Sequence, residues 1–457
     1  MANFYNATKK IKKMGRQQQV TIESIDQSLN GVTHIDSKVI FVPGALPGEQ
    51  VSIQIVDEQK KYARANLIEV NQASKQRIAP ACEHFSQCGG CQTQHLSSDS
   101  QLHFKEQGLK QRFSKISQDK HWQPSVSSQP WHYRRRARLS VNVEKNKTLR
   151  VGFRQQGSSE IINITRCDVL ARPFNEIFSP LFSLIDGLVG REEIGHVEII
   201  ATPAHNIALF RMTKRLCSED IDALRHFATT YELTVLLESN SGKIHPLPDA
   251  RLPKLSYPLA QHEIGFTPGN FIQVNGDVNE QMVAIATQWL DVKATDKVLD
   301  LFCGVGNFSL ALAHHAQLVI GVEGVKAMAE QATENAVNAG INNASFYHCN
   351  LSQPLIDQQW FSNKLRKKVD KILLDPARDG ALDICRQLSQ LQPSKIVYVS
   401  CDAASLERDS HEIIKQGYEL AKICAMDMFP QTTHVESMAL FVKSKAKPKR
   451  IKKGLLR

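Results

Sequence analysis

The sequence predicts a chain of several domains that closes with a doubly wound α/β sheet. Three short apolar runs carry that expectation. Lys297-Val298-Leu299-Asp300-Leu301-Phe302-Cys303-Gly304-Val305-Gly306 runs from a strand into a glycine-rich loop. Lys371-Ile372-Leu373-Leu374-Asp375-Pro376 ends on a carboxylate, and Ile396-Val397-Tyr398-Val399-Ser400-Cys401 ends on a thiol. Runs of Val, Ile and Leu bounded by polar residues suit buried parallel strands. In open α/β sheets ligands bind in the crevice outside the carboxyl ends of the strands. These three ends therefore bring a glycine loop, an acid and a thiol to one rim.

At 457 residues the chain exceeds one ordinary core, which favours two to three domains. After a basic arm (Lys9, Lys10, Lys12, Lys13, Arg16), residues 17 to 70 read as short strands. Val20, Ile22 and Ile25 come first, then Val39-Ile40-Phe41-Val42; Pro43 to Glu49 makes a turn, and Val51, Ile53, Ile55 and Ala63, Ala65, Leu67 alternate with polar residues. Such spacing predicts a small OB-like β-barrel over 1–72. Asn71 to Pro80 reads as a linker. A central α+β domain spans 73–270, with the hairpin 132–153 decorated by Arg134, Arg135, Arg136 and Arg138, strands at 196–201, 207–212 and 232–238, and a helix near 218–229. From 271 to 443, after an amphipathic helix near 277–290, strands and helices alternate as in a doubly wound (Rossmann-like) domain. A basic tail occupies 444–457.

Composition limits the function class. With 42% hydrophobic and 22% charged residues the chain reads as soluble and globular. No apolar stretch follows Met1-Ala2-Asn3-Phe4, and no apolar run is long enough to span a bilayer. Ten cysteines, scattered except for one cluster, read as reduced thiols or metal ligands, and the cytoplasm is the expected compartment. A net charge of +10 and eight basic residues between Lys443 and Arg457 favour a polyanionic partner, with a solubility tail as the bland alternative.

The glycine loop has two readings. A dinucleotide fingerprint wants a third glycine three residues after Gly306, where this chain has Ser309. S-adenosylmethionine carries no phosphate and needs only close backbone approach at Gly304 and Gly306, with a carboxylate at the next strand end for its ribose. Val319-Ile320-Gly321-Val322-Glu323 supplies that carboxylate, which favours S-adenosylmethionine.

A strand-end thiol beside such a cofactor has a specific use on a uracil ring. Addition of a thiolate to C6 turns the ring into an enolate, so that C5 can attack a methyl group; a base must then remove the C5 proton. Phe429 to Met438 offers Glu436, with His434 as a competitor whose commoner role is a structural hydrogen bond.

With these residues in place, the segments Phe271-Ile272-Gln273-Val274-Asn275, Asp300 to Phe308, Leu374-Asp375-Pro376, Ser400-Cys401 and His434 to Glu436 resemble, in order, those of the bacterial RNA uracil-C5-methyltransferases. Phe41 to Val51 resembles the signature of TRAM domains, OB-like barrels attached to RNA-modifying enzymes. The resemblance implies a SAM-dependent methyltransferase with Cys401 as nucleophile, Glu436 as base, and Gln273, Phe302, Asn307, Glu323, Asn350 and Asp375 at the cofactor. Where the family usually has Asn-Pro after the cysteine, this chain has Asp402-Ala403, and a carboxylate there is expected to raise the thiol pKa.

Cys82-x5-Cys88-x2-Cys91 reads generically as zinc, completed by His84 or His95. An iron–sulfur cluster wants a fourth thiolate, for which Cys167 is the candidate. The resemblance implies the latter, a [4Fe–4S] cluster, because the family's large-subunit ribosomal RNA members carry one on this spacing. It points to 23S ribosomal RNA as the partner, with no membrane and no obligate protein partner evident. Three other readings are a transfer-RNA uracil-C5-methyltransferase, which normally lacks the barrel and cysteine cluster, an iron–sulfur oxidoreductase with a dinucleotide site, and a catalytically idle RNA-binding protein, which would not need the thiol and base together.

Overall fold

The structure, a computed structural model, describes residues 17–358, 360–365 and 368–444. The basic N-terminal arm and the basic tail beyond Ser444 lie outside the described residues. The described residues divide into two compact units: 17–81, 91–108 and 431–433 form the smaller, and the remainder the larger.

The smaller unit is built on β1 (Gln17–Thr21), β2 (Ser24–Ile25), β3 (Asn30–Ile35), β4 (Lys38–Pro43), β5 (Gln50–Glu58) and β6 (Tyr62–Gln72). They form one sheet in the order β1-β5-β6-β4-β3-β2. Its edge strands β1 and β2 are separated in the chain only by Ile22 and Glu23, so the sheet must curl until its edges meet, as an OB-like barrel requires. Alternate residues of β4, β5 and β6 point inward, where Ile22, Ile40, Val42, Val51, Ile53, Ala63 and Ala65 make the core. A second small core, of Leu29, Leu46, Leu96 and Phe104, uses the first part of α1 (Ser98–Phe113). Strand β3, with Gly31, Thr33 and His34, carries too weak an apolar alternation to be read from sequence.

One buried ion pair closes this unit. Glu49 is fully buried and accepts from Arg77 Nε at 2.5 Å and Nη2 at 2.7 Å, from Leu46 N at 2.8 Å and from Ser74 N at 3.2 Å. Burial alone would raise its pKa, but Arg77 and the two amides hold it below the ordinary glutamate value.

The larger unit contains two seven-stranded sheets. The first comprises β7 (Arg136–Val143), β8 (Leu149–Arg154), β9 (Ile161–Asn163), β10 (Ile194–Ala201), β11 (Asn206–Met212), β12 (Thr234–Glu238) and β13 (Ile244–Pro246), ordered β13-β12-β11-β10-β7-β8-β9 and backed by α2 (Phe178–Gly187) and α3 (Ser218–Thr230). A hairpin of β14 (Leu255–Leu259) and β15 (His262–Phe266) follows. The second sheet comprises β16 (Lys297–Leu301), β17 (Leu318–Glu323), β18 (Ala344–His348), β19 (Lys371–Leu374), β20 (Lys395–Ser400), β21 (Tyr418–Met426) and β22 (Glu436–Lys443), ordered β18-β17-β16-β19-β20-β22-β21. All its pairs are parallel except those of β22. Val298, Val319 and Val397 enter one core and Leu299, Ile320, Ile396 and Tyr398 another, so the sheet is covered on both faces. Its helices include α4 (Gly276–Leu290), α5 (Ser309–Ala313), α6 (Lys326–Asn338), α7 (Leu382–Cys385), α8 (Leu388–Leu391) and α9 (Ala403–Lys415).

The expected boundary at 270/271 does not separate compact parts. Leu255, Tyr257, Leu259, Ile264 and Phe266 of the hairpin pack into the same core as Val298 and Val397, and Asn335 of α6 bonds both the N–H and C=O of Gly265. Trp122 and Val126 likewise pair with Ile423 and Met426 of β21. Among the described residues no helix is long and apolar enough to cross a membrane.

Glu49→Gln keeps the shape of the buried side chain and removes its charge. It should lower the stability of the smaller unit by about 2–3 kcal/mol, read by hydrogen exchange of its strand amides in the intact chain. Because the folded pKa of Glu49 is depressed, the wild-type advantage is complete above the ordinary glutamate range and disappears as the pH falls through the folded value.

Candidate active site

The chain leaves β16 toward β17 on one side and later returns to β19 on the other, so the sheet reverses its winding between β16 and β19. A ligand crevice is expected at that switch point. It is lined there by Tyr257, Phe271, Gln273, Phe302, Gly304, Asn307, Glu323, Asp375, Arg378, Cys401 and Glu436 among others, and has a volume of about 490 Å3, within the ~300–1,000 Å3 range of small-molecule sites.

The loop after β16 is built for close backbone approach. Phe302, Gly304 and Gly306 have φ of 64°, 57° and 94°, and a Cβ at Gly306 would lie 2.6 Å from Leu310 Cδ1. Gly304 N donates to Glu323 Oε2 at 3.0 Å and Val325 N to Oε1 at 2.9 Å, which orients the carboxylate while leaving acceptor capacity on both oxygens. Beneath the loop, Asp300 is fully buried and accepts from the Ser309 hydroxyl; its Oδ1 has no protein partner. Burial pushes its pKa up to about 7, with Ser309 opposing. Ser309, standing where a dinucleotide site wants glycine, thus holds the acid under the loop. Asn307 is fixed by Tyr257 Oη, donating at 3.0 Å, and by a paired amide contact with Asn279 at 2.9 and 3.1 Å.

Antiparallel insertion of β22 brings the thiol and the late acid together. Ser400, at the carboxyl end of β20, pairs with Ser437 near the start of β22, so the neighbours Cys401 and Glu436 meet at the same rim. Cys401 is half-buried; burial, then the Glu436 and Asp375 carboxylates, push its thiol up to about 11, while Arg378 pulls it down. Glu436 is buried, which raises it to about 7. Burial and the nearby carboxylates of Glu436, Asp300 and Glu323 hold Asp375 well above the usual range. A nucleophile beside a base poised near neutrality can run addition at one carbon and proton removal at the next.

Gln273, Phe302, Asn307, Glu323, Asp375, Cys401 and Glu436 all line this cavity. Asn350 is not among its lining residues; it is exposed after β18 and its Oδ1 accepts from Ser352 N at 3.0 Å. His434 is not a lining residue either, and its ring packs edge-on against Phe429 at 6.0 Å. Asp402 does not act as expected: its Oδ1 caps α9 by accepting from Ser405 N at 2.8 Å, and the carboxylates that raise Cys401 are Glu436 and Asp375. Sequence reading missed Tyr257 and Arg378. Arg378, three residues after the strand-end Asp375, had a positional signal; Tyr257, in the hairpin, had none.

The arginines of 134–138 divide by role. Arg135 lies over the Tyr257 ring at 4.2 Å and donates to the Gln273 carbonyl at 2.7 Å. Arg136 pairs with Glu198 at 3.0 Å and donates to the carbonyls of Pro268 and Asn270. Both are committed to internal contacts, while Arg138 stays exposed.

Among the described residues no group of three or more His, Cys, Asp or Glu side chains is disposed to hold a metal ion. Within the larger unit, burial raises the thiols of Cys82 and Cys88 and pushes Cys167 up to about 11, with Cys88 and Cys82 adding to the shift on Cys167. Cys91 belongs to the smaller unit. His84 Nε2 is engaged by Thr165, and burial lowers His95, in the smaller unit, to about 4.

Asp300, Asp375 and Glu436 all have folded pKa values raised above those of an unfolded chain. Their contribution to stability is complete below the ordinary carboxylate range and is lost as pH rises through the folded values. Acidifying the ligand-free protein from about pH 8.5 to about pH 6 should therefore stabilise it, by about 1–2 kcal/mol for a single group near 7. Glu436→Gln should remove that group's share of the pH dependence in thermal denaturation; an unchanged slope would contradict the assignment.

Residues 97–444 match the family described as tRNA (uracil-5-)-methyltransferase, and residues 12–68 match the TRAM domain. The chain is 43% identical over 446 residues to the 23S rRNA (uracil(1939)-C(5))-methyltransferase RlmD of Shewanella sediminis (strain HAW-EB3). It is 44% identical over 446 residues to that of Shewanella halifaxensis (strain HAW-EB4), and both comparisons cover 96% of this chain and 99% of the relative. The crystal structure of Pyrococcus abyssi tRNA (uracil-54, C5)-methyltransferase in complex with S-adenosyl-L-homocysteine superposes with a TM-score of 0.72 at 23% identity, covering 93% of this chain and 100% of that one, a likeness of fold. Matched along nearly its whole length, and with a thiol, a carboxylate and a glycine loop on one rim, the chain belongs to the RNA (uracil-5-)-methyltransferase family with an N-terminal TRAM domain.

Proposed function

We propose that the protein methylates C5 of one uridine in 23S ribosomal RNA, the counterpart of uracil 1939 in its relatives' names, using S-adenosylmethionine. The observation that carries the reading is the meeting of Cys401 and Glu436 on one rim of a cavity whose other wall is the Gly304–Glu323 loop pair. Gln273, Phe302, Asn307, Glu323 and Asp375 would hold the cofactor, a role that their shared lining of the cavity supports; Asn350 remains a family-implied contact. When bound, S-adenosylmethionine supplies the methyl group that C5 takes up.

The chain's own residues carry the remaining chemistry. Cys401 Sγ, as thiolate, bonds to C6, and the C5–C6 π pair moves into the enolate. After C5 has gained its methyl group, Glu436 takes the C5 proton. The C5–H pair re-forms the double bond, the S–C6 bond breaks and the thiolate returns. A carboxylate near 7 holds the abstracted proton more readily than an ordinary one, which suits this step. The target base must leave its stack to reach Cys401, at a cost of a few kcal/mol that backbone contacts offset. We assign that supporting role to the TRAM domain and the exposed Arg138, and the cytoplasm is where such RNA is met.

The [4Fe–4S] cluster is proposed on Cys82, Cys88, Cys91 and Cys167. The Cys-x5-Cys-x2-Cys spacing with Cys167 downstream is what supports it. No catalytic step runs through it, and its proposed role is to tie the 82–91 loop to Cys167.

Purified protein, labelled S-adenosylmethionine and deproteinised ribosomal or transfer RNA test the reaction. Label should enter one uridine of 23S RNA; entry into transfer RNA alone would overturn the substrate. Cys401→Ala should abolish transfer while leaving cofactor binding within about twofold, and Glu436→Gln should accumulate a methylated RNA–protein adduct. Retained turnover by Cys401→Ala would refute the mechanism.

Protein prepared without oxygen should be brown and hold about four irons per chain. Stoichiometric zinc in a colourless protein would refute the cluster.

A further inference from the structure

Asp409 stands outside the cavity, yet it joins three segments that meet there. It is fully buried on α9. Its Oδ2 accepts from Tyr398 Oη at 2.7 Å and from Ala381 N at 2.7 Å. Its Oδ1 accepts from Arg408 Nε at 2.8 Å, and Arg408 Nη2 also donates to the Asp379 carbonyl at 2.7 Å. Tyr398 lies on β20, three residues before Cys401; Asp409 lies on the helix that begins two residues after it. Asp379 and Ala381 belong to the loop that carries Asp375 and Arg378 into the cavity. Gly380 at the loop's centre has φ of 77°, and a Cβ there would lie 2.5 Å from Asp409 Oδ2 and 2.6 Å from Arg408 Nη2. The loop is therefore pressed directly onto the carboxylate.

We propose that Asp409 is a positioning residue for the reaction: by gripping Ala381, Tyr398 and Arg408 together it fixes Arg378 beside Cys401. The inference rests on Cys401 being the working thiol, and goes beyond it in naming what keeps that thiol usable. Three carboxylates, of Glu323, Asp375 and Glu436, line the cavity together with one cation, Arg378. Of the groups that face Cys401, Glu436 on β22 and Asp375 after β19 disfavour the thiolate, while Arg378 favours it. Around Asp409 the further titratable neighbours are Cys385 on α7 and Glu412 on α9, both away from the cavity lining. A buried carboxylate with every bond directed at backbone or at groups flanking the catalytic elements is a device for holding geometry.

The test reads Cys401 itself. The rate of iodoacetamide alkylation of the Cys401 peptide is followed by mass spectrometry against pH, in the absence of RNA and cofactor. Arg378→Gln should lower the alkylation rate at a given pH below the thiol pKa about threefold or more, an upward shift of about half a unit. Asp409→Asn should move the profile in the same direction and should add little to Arg378→Gln in the double variant, because both act through one cation. In methylation assays Asp409→Asn should lower kcat about tenfold or more with KM for S-adenosylmethionine changed less than twofold. Tyr398→Phe, which deletes one of the bonds and keeps the ring, should give a smaller shift of the same sign and serves if Asp409→Asn does not fold. An unmoved alkylation profile in both variants, or full additivity with Arg378→Gln, would overturn the proposal. Methylation lost by Cys401→Ala but an Asp409→Asn profile like wild type would reject positioning alone. Methylation retained by Cys401→Ala would reject the underlying mechanism.

Discussion

The site depends on one reversal of direction. In an all-parallel sheet, every strand begins on the rim opposite the ligand crevice, so a residue at a strand's start cannot reach it. Strand β22 runs antiparallel between β20 and β21, and the Ser400–Ser437 pairing sets its register. Its first residue, Glu436, therefore stands at the rim where β20 delivers Cys401. Side chains alternate across a strand, so register and direction together select which residue faces the cavity.

That juxtaposition makes the electrostatics of the crevice self-opposing. Carboxylates at three strand ends suit a cofactor with hydroxyls and cationic groups, but each raises the cost of ionising its neighbours. Two of them, Glu436 and Asp375, also disfavour the thiolate that the proposed chemistry needs. Arg378 relieves this at the thiol, and the Asp300–Ser309 bond relieves it beneath the loop. Perturbed ionisation concentrated in one crevice is how acid–base function is commonly prepared.

Much of this was legible because the parallel strands are short, apolar and punctuated. Each ends on a polar residue that lines the cavity, so Asp375, Cys401 and Glu323 could be set at its rim by pattern alone, and Glu436 by the motif that follows. What escaped was decided by tertiary partners. Tyr257 sits in a hairpin with no chemical motif and matters only because it folds onto Asn307. Arg135 and Arg136 look like a basic patch in sequence, but Gln273, Tyr257 and Glu198 absorb them. Asp402 looked like a neighbour of the thiol, yet the first turn of α9 claims its carboxylate. The domain boundary failed for the same reason: the chain crosses it without a change in composition, while the core of β14 and β15 is shared with the catalytic sheet.

The left-handed backbone of Phe302 carries a further consequence. A non-glycine residue at φ of 64° costs the folded chain about 1–3 kcal/mol, and glycine there would relieve it. Glycine would also delete an aromatic wall of the cavity. A relaxed backbone and a filled cavity wall therefore make opposite demands on this position. A loop that holds phenylalanine in a glycine conformation gives up some stability for the shape of its cavity.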